Sequence, residues 1–111
     1  MWRPESVGRQ IREIVSELVH HRLKDPRLGY VTITDVDVTR DLKSAKIFVS
    51  VMGDPEARDD TLAVLVSATP FLRRELGQRI RLRHTPEIQF EYDDSLERGA
   101  RIDKILDDLK P

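Results

Sequence analysis

The stretch Thr61–Thr85, TLAVLVSATPFLRRELGQRIRLRHT, carries a proline in the middle of an apolar, helix-spaced run. That proline constrains how the second half of the chain can be built. Pro70 has no N–H and its ring clashes with the preceding turn of a continuous helix, and it disfavours helical geometry at Thr69. Thr69 is also a good N-cap, and proline a good first helical residue. The local rules therefore predict one helix ending at Ser67-Ala68-Thr69-Pro70 and another starting there, with almost no loop between. Past the break, Arg73, Arg74, Arg79, Arg81 and Arg83 gather with Glu75 as the only acid among them.

A chain of 111 residues fits one domain, large enough to bury about two-thirds of its unfolded surface without a staple. It has no cysteine, which excludes zinc–thiolate sites, disulfides and cysteine nucleophiles. No long apolar run is present, and the opening MWRPESVGRQ lacks the hydrophobic segment of a signal peptide. A soluble, cytoplasmic protein that does not meet a membrane is expected. The net charge of −1 does not announce a nucleic-acid partner, but its distribution is uneven. Acids collect at Asp54–Asp60 and between Asp93 and Asp108, arginines at 73–83. Arg9, Arg12, Arg22, Lys24 and Arg27 form a looser basic set.

Taken in order, Val7, Ile11, Ile14 and Leu18 trace a helical stripe from about Glu5 to Leu23, stopped by Lys24-Asp25-Pro26-Arg27-Leu28-Gly29. Tyr30–Thr39 reads as a strand with a fault. Val31 and Ile33 share one parity, Val36 and Val38 the other. Either both faces are partly covered or a β-bulge near Thr34-Asp35 restores the register, and the bulge is the favoured reading. Ala45, Ile47, Val49 and Val51 alternate cleanly, predicting an antiparallel hairpin with one face on the core. Asp54 and Pro55 are suited to cap and start the next helix, with Leu62, Leu65 and Val66 as its buried stripe.

Gly77 is a candidate helix end. Over 79–83 two readings compete: an extended one places Arg79, Arg81 and Arg83 on one face, and a helical one aligns Arg74, Gln78 and Arg81. Glu87–Tyr92 reads as a third strand with Ile88, Phe90 and Tyr92 inward and an unpaired start at Pro86. Ile102, Ile105, Leu106 and Leu109 predict a C-terminal helix capped by Asp94 or Ser95.

Catalytic chemistry finds little support. His20 and His21 point in different directions on a helix and are ill placed to share a metal. Asp35 and Asp37 could face one way on a strand, as a metal-dependent nuclease would need, but an exposed strand face is the favoured account of them. No nucleophile triad or glycine-rich phosphate loop is visible. The basic stretch can be an arginine-coated helix paired with the acidic tail, or a surface meeting phosphates beside a helix junction. The aromatics are Trp2, Tyr30, Phe48, Phe71, Phe90 and Tyr92, mostly needed inside. That favours reading the shape and backbone of structured RNA over stacking on single-stranded bases.

The sequence closely resembles the bacterial ribosome-binding factor A family. The residues that carry the resemblance are Lys24-Asp25-Pro26-Arg27-Leu28, Val31-Thr32-Ile33-Thr34-Asp35-Val36, Arg40-Asp41-Leu42 with Ala45-Lys46, Phe71-Leu72-Arg73-Arg74-Glu75-Leu76, Leu82-Arg83-His84-Thr85-Pro86-Glu87, and Phe90-Glu91-Tyr92-Asp93-Asp94-Ser95. They span nearly the whole chain in family order. The resemblance implies an α+β, type II KH-like fold, α-β-β-α-α-β, the order read above from periodicity. It also implies a non-catalytic role in late maturation of the 30S subunit, binding near the neck of the small-subunit rRNA, with a link to cold adaptation. Where the family has an Ala-x-Gly kink between two helices, this chain has Ala68-Thr69-Pro70, which keeps the expected kink and removes an N–H.

The combined expectation is a monomeric KH-like RNA-binding domain over residues 1–93 with a helical tail over 94–111. It needs no cofactor, metal or small-molecule substrate. It binds 30S particles and their rRNA through Arg73, Arg74, Arg79, Arg81 and Arg83, with Arg9, Arg12, Lys24 and Arg27 as further contacts. The rival is a protein-interaction module whose arginines meet an acidic partner.

Overall fold

The computed structural model describes residues 3–95; the C-terminal helix expected within the tail 94–111 lies outside the described residues. The element order is α1 (Pro4–His21), β1 (Val31–Val38), β2 (Ser44–Val51), α2 (Pro55–Arg79) and β3 (Glu87–Tyr92). Two helices and three strands thus make a mixed α+β fold.

Pro4 opens α1 as its first residue. Val7, Ile11, Val15, Leu18 and Val19 form its buried face, and the stripe is pressed chiefly on β1. Gly8 shows how closely, since a Cβ there would come within 3.1 Å of the Val36 carbonyl oxygen. The helix is also tied down at its far end, where the His20 ring donates through Nε2 to the Val31 carbonyl at 2.9 Å.

β2 is the central strand, antiparallel to β1 and parallel to β3. A parallel pair needs a crossover, and α2 supplies it. The bulge is present: the register shifts between Ile33 and Asp35, leaving Thr34 without a ladder partner. Its hydroxyl is used instead, donating to Asp93 Oδ2 at 2.7 Å beyond the end of β3. With that extra residue, Val36 and Val38 pack on the same core as Val31 and Ile33. Ala45, Ile47, Val49 and Val51 are buried as their alternation predicts.

The second half differs from the local prediction. Helical backbone runs unbroken through Ala68, Thr69 and Pro70, so α2 is one helix where two were expected. Thr69 does not cap a new helix; its hydroxyl donates back to the Leu65 carbonyl at 3.0 Å. The reason is position. Ala63, Val66, Ser67, Pro70, Arg74 and Gln78 form the exposed stripe of α2, so the proline ring meets solvent. The carbonyl left without its amide partner belongs to Val66, itself 63% exposed and open to water. The buried stripe on the other side, Thr61, Val64, Leu65, Leu72 and Leu76, anchors both halves to the sheet. Val66 was expected inside and is outside for the same reason.

At its start α2 follows the capping rule, with Asp54 accepting from the Ala57 amide at 2.8 Å. At its end the helix passes Gly77 and stops at Ile80, whose backbone turns extended. Gly77 therefore serves close packing rather than termination: a Cβ there would lie 2.7 Å from Thr85 Oγ1. The returning segment 80–86 lies directly across the helix at this point.

Candidate nucleic-acid interface

The returning segment and the last turns of α2 carry the arginines singled out from sequence, and the structure divides them by role. Arg73 is turned inward to the segment. It donates through Nε to the Pro86 carbonyl and through Nη2 to the Thr85 carbonyl, both at 3.0 Å, with Glu87 at 3.5 Å. Two of its donors are thus spent fixing the approach to β3. Arg79 reaches across to α1, where Glu17 accepts at 2.8 Å. It ties the two helices together, and its charge also suits the C-terminal end of α2.

Arg74 stands on the outer stripe of α2, and Arg81 and Arg83 on the returning segment; all three are exposed. Neither alignment read from the sequence over 79–83 is found. The backbone is helical to Arg79 and extended from Ile80, so Arg79 does not share a face with Arg81 and Arg83. Ile80 is buried, which anchors the crossover between the two groups.

The N-terminal basic set is dispersed. Arg9 and Arg12 are exposed on α1 and line a cavity of about 320 Å³ with Asp35 and Asp37 of β1. With Glu5 also in the lining, two cations there face three carboxylates, so the local field leans negative. Lys24 and Arg27 lie beyond the other end of α1. Arg27 is engaged by Asp25, accepting at 3.2 and 3.0 Å. Its hydrogen bonds hold the Asp25 carboxyl below 3.8, and the same bonds raise the guanidinium, with the charge of Asp60 adding to the effect. Arg22 is committed too, lying 5.5 Å from the Phe71 ring centroid and 3.7 Å from Glu75. Asp35 spends one oxygen on the Val36 amide at 2.9 Å. Among the described residues, no group of three acidic or histidine side chains could hold a metal ion with it.

Two residues not picked out from sequence, a lysine and a histidine, stand beside Arg83. Lys43 is brought there by the β1–β2 turn, and His84 by its place on the returning segment. The Glu87 amide donates to the Lys43 carbonyl at 2.8 Å, and Ser44 is in register with Glu87. The parallel pairing of β2 and β3 is what joins turn and segment. It is a long-range pairing, which basic-residue spacing does not encode.

Arg74, Arg81 and Arg83, with Lys43 close by, stay exposed and without an ion pair among the described residues; Arg3, Arg9, Arg12, Lys24 and Arg40 are likewise exposed and without one. The first four gather around the last turns of α2, the returning segment and the β1–β2 turn, with Arg9 and Arg12 apart on α1. A surface of this kind has the charge to meet phosphates. No helix among the described residues is long and apolar enough to cross a membrane.

The comparisons with known proteins agree with one another. The family model described as Ribosome-binding factor A matches residues 3–106. Curated proteins named Ribosome-binding factor A are similar over 107 residues, or 96% of this chain. One from Desulforamulus reducens is 50% identical, with 89% of its own length covered. Another from Staphylococcus carnosus is 47% identical, with 93% covered. Among solved structures, a solution structure from Thermotoga maritima described as a putative ribosome binding factor A superposes with a TM-score of 0.72 at 33% identity, covering 82% of this chain and 87% of that one. The crystal structure of ribosome-binding factor A from Thermus thermophilus gives 0.72 at 23% identity, covering 82% and 97%, a likeness of fold. A Thermus thermophilus homology model fitted into a map of a 30S–RbfA complex gives 0.68 at 24% identity, covering 82% and 96%. With its α-β-β-α-β order, central β2 and near full-length match, this chain belongs to the ribosome-binding factor A family.

Proposed function

We propose that this protein is a non-catalytic assembly factor. It binds the free or immature 30S subunit through small-subunit rRNA and assists late 30S maturation, including rRNA processing and growth in the cold. The observation that carries the reading is family membership over nearly the whole chain, joined to a set of exposed cations at one end of α2. The mechanism is steric and conformational. The protein docks on phosphates of structured rRNA, holds the particle in a maturing arrangement and leaves when the subunit is complete.

The fold belongs with type II KH-like domains in this reading, with α1 and α2 on one face of the sheet and the α2–β3 crossover next to the RNA. Residues 1–93 form the binding domain, and 94–111 a tail appended to it. Arg74, Arg81 and Arg83 are the leading phosphate contacts, with Arg9, Arg12 and Lys24 outlying. Arg73 and Arg79 shape the surface through their internal bonds, and Arg27 contributes weakly because Asp25 and Asp60 offset it. The protein acts as a cytoplasmic monomer.

Gradient cosedimentation of purified protein with 30S, 50S and 70S particles tests the reading. Selective, salt-sensitive migration with free 30S is expected, and loss of that association after nuclease treatment. Association that survives removal of rRNA would favour an acidic protein partner instead. Full activity of the double variant Asp35→Asn/Asp37→Asn separates this role from that of a metal-dependent nuclease.

A further inference from the structure

The β1–β2 turn and the returning segment enclose two adjoining cavities whose shared wall is Lys43, Arg83 and His84. One, of about 490 Å³, is completed by Asp41, Leu42 and Leu82. The other, of about 650 Å³, is completed by Arg73, Thr85 and Glu87. Lys43, Arg83 and His84 are all exposed, and no ion pair engages the Lys43 or Arg83 side chain among the described residues.

Both walls are built with care that an ordinary surface turn does not need. Leu42 takes φ 62°, a left-handed conformation that leucine rarely adopts. The turn is held there by Asp41, whose Oδ1 accepts from the Thr39 hydroxyl at 2.6 Å and from the Lys43 amide at 3.0 Å. Asp41 is thereby occupied by the turn itself, and the carboxylate is stabilised by the Thr39 hydrogen bond first of all. The opposite wall is pinned by Arg73 through the Thr85 and Pro86 carbonyls. Glu87 is drawn to Arg73 rather than to the three wall residues. Two hydrogen-bonded walls therefore present the exposed Lys43 and Arg83 charges and the His84 ring, with half-buried Leu42 and Leu82 as apolar surface beside them.

We propose that this double cavity is a seat for one nucleotide step of the RNA, built where Arg83 of the exposed arginine set meets Lys43 and His84. Lys43 and Arg83 take the phosphate, Leu42 and Leu82 lie against the sugar, and the His84 ring offers a face to a base. A free phosphate would use only the cations. The adjoining apolar surface and the volume, within the range of small-ligand clefts, point to a nucleotide unit within a chain. The inference rests on the rRNA-binding reading above and names a part of its site.

The test is a binding titration of the full chain with purified 30S subunits at several salt concentrations. It compares wild type, Lys43→Ala, His84→Ala and the double variant, with Lys46→Ala as control. Lys46 lies on the outer face of the sheet, paired with Glu91 at 3.5 Å. The double variant is expected to bind about tenfold more weakly, with the salt dependence shallower by about one unit for the lost Lys43 phosphate contact. Lys46→Ala should leave both unchanged. The substituted side chains are exposed, and unchanged thermal unfolding of the variants would show that the fold is kept. The proposal is overturned if wild type binds 30S and the double variant matches it in affinity and slope. Equal losses for Lys43→Ala and Lys46→Ala would also overturn it, leaving only general charge. Failure of the wild type to bind 30S would instead defeat the underlying rRNA reading, and this site with it.

Discussion

At the scale of single residues, the tightest coupling in the molecule is between Gly77 and Thr85. An alanine at 77 would gain about 1 kcal/mol of helix propensity but would drive a Cβ to 2.7 Å from Thr85 Oγ1. Overpacking of that kind costs about 1–3 kcal/mol. Gly77→Ala is expected to be net destabilising by about 1 kcal/mol, and adding Thr85→Ala should recover the loss; a chemical denaturation cycle measures both. Arg73 acts on the same segment. Arg73→Ala removes hydrogen bonds to two carbonyls and should cost about 1–2 kcal/mol, discounted because a third of the side chain is exposed. Arg73→Lys should recover little, because an ammonium cannot reproduce the two-pronged fork. The carboxylates Asp25 and Asp41 both titrate below 3.8 in the folded protein. Their small contribution to stability is therefore complete above pH 3.8 and fades as pH falls through the lowered values. Asp41→Asn should flatten part of that acid dependence in a pH series of unfolding midpoints.

At the scale of elements, α2 is where local rules and tertiary packing disagree. Pro70 breaks one backbone bond, to Val66, on the solvent face, while Leu65, Leu72 and Leu76 hold the helix to the sheet from the other side. Pro70→Ala should therefore raise stability by about 1–2 kcal/mol: the helical gain is large, and the loss of proline's stiffening of the unfolded chain offsets part of it. A higher denaturant midpoint with unchanged m-value would report it. The contrast with β1 shows what a sequence makes legible. The parity fault between Ile33 and Val36 is a local pattern, and it revealed the bulge because only one extra residue could put both pairs on the core. The proline at 70 is equally visible, yet its effect depends on which face of α2 meets the sheet, and that is decided elsewhere in the chain. The parallel pairing of β3 with β2, and with it the meeting of Lys43 and His84, is a long-range outcome that strand periodicity does not carry. The basic stretch was legible as a region. That Arg73 and Arg79 would spend their donors on Thr85, Pro86 and Glu17 was not, because an arginine bound to a carbonyl and one facing solvent read alike.

At the scale of the whole molecule, an overall charge of −1 conceals an internal division of cations. Some are consumed in holding helices, loop and strand together, and of the others Arg74, Arg81, Arg83 and Lys43 gather around the α2–β3 crossover. The account is that this group binds rRNA phosphates on the 30S subunit. Its most direct test is the association constant of the protein with purified 30S subunits, measured across a salt series. With about three or four phosphates engaged by Arg74, Arg81, Arg83 and Lys43, log K should fall against log salt with a slope of about −3. Charge-removing variants at those positions should each make the slope shallower, and Arg27→Ala should leave it nearly unchanged. An affinity for 30S that does not respond to salt, or a slope unaltered when those four cations are removed, would contradict the account.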